Sequence, residues 1–322
     1  MTQTAGLALA SDRATDETRP RVVALLYVMF LVGMGVSAII VGWLLRDFSP
    51  LKLIQVVQGA AVLTVLLNVV ALWKQERVRP MSREERAQPR PTFRDAWADF
   101  AKGGQAGRLI AVVALGTLAF NMQDVLLEPY GGEILGLSVS ATTLLTAAWA
   151  AGALVAFALS ARWLAAGRDP YRIAALGLLL GIVAFSAVIF AAPLESTALF
   201  FAGAAGIGLG GGMFAVATLT AAMVMPATGL AGRGLALGAW GGAQATAAGI
   251  AIFAGGTIRD AVAATSLPDT LGPATGYSMV YHLEIALLFA TLAVLGPLVK
   301  LRPYRKHDTT HSPGIGLADL PT

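Results

Sequence analysis

Long apolar runs recur along the whole chain, and short polar segments separate them. A helix needs about 20 apolar residues to cross about 30 Å of hydrocarbon, whereas a membrane barrel strand has about 10 residues of alternating polarity. These runs are long and apolar on every side, so the pattern predicts membrane-spanning helices. The eight predicted spans are 22–45, 51–73, 109–129, 139–161, 173–192, 197–225, 235–258 and 277–299.

The composition of the chain agrees with this pattern. Hydrophobic residues make up 56% of the 322 residues and charged residues only 13%, against about 25% charged residues in a typical soluble domain. A soluble enzyme or a disordered regulator of this composition could not cover its apolar surface with charge. The chain has no cysteine, which excludes thiol catalysis and cysteine-ligated metal sites. We therefore predict an all-α, polytopic membrane protein.

The basic side chains predict how the spans are oriented. Of the 23 Lys and Arg residues, 20 fall in segments on the side of the N-terminus, and only Arg46, Lys52 and Arg259 fall on the other side. Cytoplasmic loops carry such an excess of positive charge. Both termini are therefore predicted to lie in the cytoplasm. Membrane topology also explains the pI of about 9.6 without a nucleic-acid partner.

The polar segments predict how the chain is divided. Two spans precede the longest polar loop and six follow it, which resembles half of a transporter built from two six-span repeats. Four spans would then be missing at the N-terminal side; a protein of eight spans is the alternative. The predicted parts are a partial N-terminal bundle (1–73), a basic cytoplasmic loop (74–108), a six-helix C-terminal bundle (109–300) and a cytoplasmic tail (301–322).

The basic loop contains a short amphipathic pattern near its end. Phe93, Trp97 and Phe100 recur at i, i+4 and i+7, so they share one face of a helix. Thr92 can cap this helix, and Asp95 lies in its first turn. We expect a helix that lies on the cytoplasmic surface of the membrane; an ordinary solvated linker is the alternative.

The third span carries polar residues on one helical face. Asn121, Asp124 and Glu128 recur at i, i+3 and i+7. A carboxylate in hydrocarbon costs several kcal/mol, so it should face a cavity, a partner helix or the interface. These three residues are candidates for a substrate- or proton-linked site. The alternative is an interfacial helix end that Pro129 breaks.

The last span carries a second polar group. Tyr277, Tyr281 and Glu284 share one face, and His282 lies about 100° around the helix from Tyr281. The tyrosines can form an aromatic belt at the outer interface. A neutral imidazole can ligate the metal of a macrocycle or relay protons. Tyr281, His282 and Glu284 are therefore further binding candidates, against the alternative of a hydrogen-bonded structural histidine.

Glycines crowd the sixth and seventh spans. A stretch near residue 206 matches G-x-G-x-x-G by letter, but it lies within an apolar run and not in a βαβ unit, so dinucleotide binding is rejected. Small residues instead let a neighbouring backbone, or a flat ligand, approach closely. The predicted close-packing glycines are Gly206, Gly208, Gly210, Gly211 and Gly212, followed in the next span by Gly234, Gly238 and Gly242. Gln244, four residues after Trp240, needs a polar partner, and both are binding candidates.

Three polar strings inside apolar segments resemble the PucC/LhaA group, the bacteriochlorophyll delivery branch of the major facilitator superfamily. They are residues 120–132, 237–249 and 280–286, and the resemblance extends from about residue 3 to about 305. It implies a bundle of the major facilitator type whose last six helices form one complete half. It also implies assembly of light-harvesting antenna complexes, with antenna polypeptides and bacteriochlorophyll as partners. It assigns no pigment ligand to any residue.

The favoured function is therefore non-enzymatic, in the photosynthetic inner membrane of a bacterium. The glycine-rich helices would offer a groove for a macrocycle, with Asp124, His282 or Glu284 as polar anchors. Bacteriochlorophyll is expected as cargo, with no intrinsic cofactor, metal or catalytic residue, and oligomerisation is left open. A proton-coupled transporter of a small solute, with Asp124 and Glu128 as proton carriers, is the alternative. A pigment-synthesising enzyme is disfavoured because the sequence lacks an Asp-rich magnesium-binding cluster.

Overall fold

The computed structural model describes residues 49–72, 92–102, 104–224 and 233–300, with scattered single residues between 25 and 44. The first predicted span, 22–45, and the tail after residue 300 lie essentially outside these ranges. Within them every regular element is helical, and seven helices are long and apolar enough to cross a membrane. The helices are α1 (Pro50–Leu72), α2 (Phe93–Lys102), α3 (Gln105–Asn121), α4 (Leu127–Glu133), α5 (Val139–Ala165), α6 (Pro170–Ala191), α7 (Thr197–Val224), α8 (Arg233–Ala263), α9 (Leu267–Leu271) and α10 (Thr275–Lys300).

Polar residues set the starts of several helices. The Asp169 carboxylate accepts a hydrogen bond from the Tyr171 amide at 2.9 Å, and Pro170 follows as the first helical residue of α6. This arrangement satisfies a helix N-terminus that would otherwise carry unpaired N–H groups. Ser138 caps α5 in the same way. The helical elements, seven of which are long and apolar enough to cross a membrane, confirm the all-α membrane class that the sequence predicts.

The amphipathic helix expected in the basic loop is α2. The Asp95 amide donates to the Thr92 hydroxyl oxygen at 3.2 Å, and that hydroxyl donates to the Asp95 carboxylate at 2.6 Å. Thr92 is therefore the cap that the sequence predicts. The indole of Trp97 remains 43% exposed and lies beside the ends of α3 and α8.

The third predicted span is not one continuous helix. A 3-10 segment, Met122–Val125, joins α3 to α4, and helical structure continues to Glu133, beyond the predicted end at residue 129. Gly255 of α8 faces this segment so closely that an added methyl group would lie 2.5 Å from the Met122 carbonyl oxygen. The break thus coincides with a close tertiary contact and not with a proline or glycine in the segment itself.

Helix α7 is the centre of the bundle and packs between α5 and α6. A methyl group added at Gly208 would collide with the Trp149 carbonyl of α5, and Gly152 meets the Ala205 carbonyl of α7 in the reciprocal contact. A methyl group at Gly210 would lie 2.6 Å from the Gly177 carbonyl oxygen of α6. Glycine is needed at these points because the backbones themselves are in contact.

Helix α1 differs from the rest of the described spans. None of its apolar window is buried, against 28–56% in the six later spans. Its polar side chains are satisfied within the helix: the Asn68 amide donates to the Thr64 carbonyl at 2.8 Å, and the Thr64 hydroxyl donates to the Ala60 carbonyl at 2.8 Å. Among the described residues, Asn68 and Thr64 therefore form no hydrogen bond to the six later spans.

Candidate functional site

An apolar groove runs along the side of the bundle between α3 and α8. We call it the lateral groove; its volume is about 930 Å³. Trp97 of α2 lies at the end where α3 and α8 begin. Apart from the indole of Trp97, Thr246 is the one lining side chain that carries a polar group. The lining residues are Trp97, Ile110, Ala114, Leu115, Leu118, Leu235, Gly238, Ala239, Gly242, Ala243, Thr246, Ala247 and Ile250.

The floor of the lateral groove is a strip of small residues on α8. Gly238 and Gly242 are exposed, and within the described residues no side chain or neighbouring backbone lies within 4 Å of a methyl group added to either. The close packing expected at these two glycines is therefore not seen. Gly234 precedes them on α8, outside the residues whose surroundings the structure describes. The strip presents a flat surface against which none of the described residues packs.

The glycines predicted on α7 lie in a different setting. Each has a neighbour within 3.5 Å of an added methyl group: Ala184 at Gly206 (2.8 Å), the ring of Phe120 at Gly211 (3.4 Å) and Ala156 at Gly212 (2.8 Å), besides the backbone contacts of Gly208 and Gly210. All five glycines therefore lie where a neighbouring helix or an aromatic ring packs directly against α7.

A second, smaller space lies on the other side of α3 and α8. We call it the central cavity; its volume is about 230 Å³, and α3, α5, α7 and α8 contribute to its walls. Its walls carry the amide side chains of Asn121 and Gln244 and the carboxyl group of Asp124. The structure thus brings together three predicted site residues from two distant parts of the sequence.

The polar side chains of the central cavity are held by local hydrogen bonds. The Asn121 amide donates to the Thr117 carbonyl at 2.7 Å. The Gln123 amide, which is itself buried, donates to the Asp124 carboxylate at 2.5 Å. The 3-10 segment orients these groups because it turns Asp124 toward the cavity and Gln123 toward the interior. These polar side chains can donate hydrogen bonds to a bound molecule or accept hydrogen bonds from it.

Other predicted site residues lie away from both spaces. Trp240 is buried, and its indole N–H donates to the Thr218 hydroxyl of α7 at 3.4 Å. The Glu128 carboxylate is exposed and accepts a hydrogen bond from Thr146 at 2.6 Å. Neither Trp240 nor Glu128 lines the lateral groove or the central cavity. Trp240 is therefore placed as a contact between α7 and α8.

The predicted residues of the last span separate into two groups. Tyr281 and Glu284 are fully buried inside the bundle. His282 is on the exposed face of α10, where its Nδ1 lies 2.7 Å from the Ser278 carbonyl oxygen. In this arrangement neither His282 nor Glu284 reaches the lateral groove. The three adjacent candidates therefore do not form one site.

Sequence reasoning missed a charged cluster at the far end of the bundle, where α4 and α8 end and α10 begins. The adjacent residues Arg259 and Asp260 form an ion pair at 2.8 Å. Arg259 also contacts the Glu133 carboxylate at 2.5 Å and the Tyr277 hydroxyl at 2.9 Å, and that hydroxyl donates to Glu133 at 2.7 Å. Only the charge of Glu133, just beyond the predicted span, could have signalled this link.

Aromatic rings fill the bundle beneath this cluster. The ring of Tyr130 lies 5.3 Å from those of Phe200 and Tyr277 and 5.6 Å from that of Tyr281, measured between centroids. The Tyr130 hydroxyl donates to the Val188 carbonyl at 3.4 Å. The far end is therefore closed by packed rings, whereas the lateral groove and central cavity remain open.

The comparisons with known proteins agree with this architecture. The family model described as "PUCC protein" matches residues 1–302. The chain is 61% identical over 329 residues to an "Uncharacterized protein in puhA-bchM intergenic region" of Rhodobacter capsulatus, covering 100% of this chain and 68% of that protein. It is 52% identical to "Protein PucC" of Rhodovulum sulfidophilum, covering 81% of this chain and 57% of that protein. The chain thus spans about two thirds or less of the length of these relatives.

A solved structure shows the same fold. It is the crystal structure of a bacterial homologue of the iron transporter ferroportin in an outward-facing state, with a TM-score of 0.60 and 16% sequence identity. The match covers 91% of this chain and 67% of the other. At this identity the likeness supports a helical transporter-type fold and says nothing of the bound molecule.

Proposed function

Because this chain belongs to the PUCC protein family, we propose that it is a membrane factor for the assembly of photosynthetic light-harvesting complexes. In this role it holds bacteriochlorophyll in the lateral groove and presents it to antenna polypeptides. It performs no chemical step on the pigment. The proposed location is the bacterial inner membrane, with both termini in the cytoplasm. The observation that carries the proposal is the uncovered strip of small residues along α8.

The shape and chemistry of the lateral groove suit a flat, apolar ring. Gly238, Ala239, Gly242 and Ala243 keep side chains off its floor, so a macrocycle can lie against the backbone of α8. Burial of apolar surface contributes about 25 cal/mol per Å², and this term does not depend on a specific polar contact. The walls come from the larger aliphatic side chains of α3. A pigment dissolved in the bilayer can enter sideways, without crossing water.

Polar side chains near the lateral groove can orient a bound macrocycle. Ala243 lines the lateral groove and the next residue, Gln244, lines the central cavity. Asn121 and Asp124 reach the same cavity from α3 and the 3-10 segment. These groups face the central cavity and not the lateral groove, so the polar contacts that the groove itself offers to a macrocycle are the Thr246 hydroxyl and the Trp97 indole. Trp97 offers an aromatic contact at the other end.

The test is purification from a pigment-producing host, followed by an absorption spectrum. We expect bacteriochlorophyll to co-purify with the wild-type chain. The double variant Ala239→Leu/Ala243→Leu, which fills the groove, should lose at least about tenfold of the pigment. Ala245→Leu is the matched control, since Ala245 is an exposed residue of the same helix outside the groove. Alanine and leucine have similar helix propensities, so the backbone is not perturbed.

Two results would contradict the proposal. The first is a wild-type protein without pigment at any stoichiometry, together with normal antenna assembly in a deletion strain. The second is equal pigment content in the groove variant and in Ala245→Leu. Solute uptake into proteoliposomes that collapses with an uncoupler and fails in Asp124→Asn would favour a transporter instead.

A further inference from the structure

A buried carboxyl group in α10 lacks the partners that a charge requires. The side chain of Glu284 is 0% exposed. The backbone N–H of Gln123 approaches its carboxyl group, but among the described residues neither oxygen accepts a hydrogen bond of normal geometry. The hydroxyl of Tyr281, one turn earlier on the same face, is also buried and unpartnered. An ionised carboxylate buried without a partner costs far more than a neutral acid. Glu284 and Tyr281 are therefore two buried polar groups that the described residues leave without a hydrogen bond.

The ionisable surroundings of Glu284 supply no positive charge. Asp124 faces it from the 3-10 segment, next to the backbone of Gln123, and Tyr281 faces it from α10. Tyr130 and Tyr277 lie beside Tyr281. Within the ranges that the structure describes, no basic side chain forms an ion pair with Glu284. Arg259, which lies near the far end of α8, is bound to Glu133 and Asp260.

We propose that Glu284 is a proton-binding site: it holds a proton as a neutral carboxylic acid inside the bundle. The bound proton gives the group a donor as well as an acceptor, so it can share hydrogen bonds with the Tyr281 hydroxyl or with a buried water. This proposal does not rest on pigment binding, since Glu284 lies outside the lateral groove.

The proton has a route to the central cavity. Asp124 lines that cavity, and the 3-10 segment that carries it contacts α10, the helix of Glu284. Its orientation is fixed by Gln123, whose amide donates to it at 2.5 Å. Asp124 is therefore the group through which Glu284 exchanges its proton with the cavity.

Infrared spectroscopy of the purified chain tests both parts of the proposal. We expect the carbonyl stretch of a protonated carboxyl group in the wild-type spectrum at neutral pH, and its loss in Glu284→Gln. Glu128→Gln is the matched control, since that carboxylate is exposed and bound by Thr146. In Asp124→Asn the band should remain, but its shift after transfer to heavy water should be at least about tenfold slower. A band unchanged in Glu284→Gln would overturn proton binding, and an unchanged exchange rate would overturn the route.

A measurement on the unmodified chain covers the case in which Glu284→Gln does not fold. Dicyclohexylcarbodiimide is apolar and reacts with protonated carboxyl groups. Mass spectrometry of the labelled wild-type protein should place the adduct on Glu284 and leave Glu128 unmodified. An adduct on Glu128 with none on Glu284 would contradict the proposal, because an ionised Glu284 would not react.

Discussion

Helices α7 and α8 are both rich in glycine, but the glycines in the first part of α8 lie in the opposite setting to those of α7. On α7, Gly208 and Gly210 touch the backbones of α5 and α6. On α8, Gly238 and Gly242 face open space along the lateral groove. The same residue type therefore brings helices together in one region and leaves a surface free in the other. The difference comes from position in the bundle: α7 lies between α5 and α6, whereas no described residue covers the groove side of α8.

The comparison is tested most strongly by adding single methyl groups. Gly208→Ala should destabilise the bundle by about 1–3 kcal/mol, because the Trp149 carbonyl cannot yield as a flexible side chain would. Gly242→Ala should be neutral or stabilise by up to about 1 kcal/mol, since alanine is the better helix former. Thermal unfolding in one detergent would measure both. Equal losses in the two variants would refute the assignment of the α8 strip as an open surface.

Thiol labelling tests the same difference between α7 and α8. Because the chain has no native cysteine, an introduced cysteine is the single labelled site. Ala239→Cys lies in the groove, whereas Ala217→Cys lies on α7 at a position that is 0% exposed. We expect a membrane-permeant thiol reagent to modify the groove cysteine at least about tenfold faster, because reaction requires access to the thiolate. Similar rates would mean that the groove is closed in the membrane protein.

The charged cluster around Arg259 stabilises the end of α8 that lies away from the lateral groove. Arg259→Ala removes contacts to Glu133, Asp260 and Tyr277 and should cost about 1 kcal/mol, a modest loss because Glu133 is 54% exposed. Arg259→Lys should retain part of this stability. Thermal unfolding at low and high salt would show a smaller difference at high salt. No difference from wild type at low salt would exclude this support.

The smallest effect is expected at the contact between α7 and α8. Trp240→Phe keeps most of the buried ring but removes the weak hydrogen bond to Thr218. We expect a loss of about 0.5–1 kcal/mol and no change in pigment content, because Trp240 lies outside the groove. Pigment loss in this variant, with the fold intact, would place Trp240 in the binding surface after all.

Hydropathy was sufficient to predict the helical class and the spans from 51 onward. It also placed Asn121 and Asp124 on one helical face, and both reach the central cavity. The burial of Glu284 and the exposure of its neighbour His282 could not be read from their sequence, because they depend on which face of α10 the other helices cover. The 3-10 break at Met122 was missed for a similar reason, since the feature beside it is a contact with Gly255 from a distant helix.

The glycines illustrate the same limit. The spacing of small residues predicts that something can approach closely, but it does not tell a helix from a ligand. Gly152 and Gly177, which complete the contacts of α7, were not singled out. Gly152 has no second glycine near it, whereas Gly177 and Gly181 have the i, i+4 spacing that could have signalled close packing. Only the positions of the partner helices separate the packed glycines from the free ones.

The proposed pigment site is tested most directly by protection of a groove cysteine. Ala239→Cys would be labelled in lipid nanodiscs during titration with bacteriochlorophyll, with Ala245→Cys as the exposed control on the same helix. The account predicts saturable protection of Ala239→Cys, by at least about tenfold, and an unchanged rate at Ala245→Cys. Equal slowing at both positions, or no protection at saturating pigment, would contradict it.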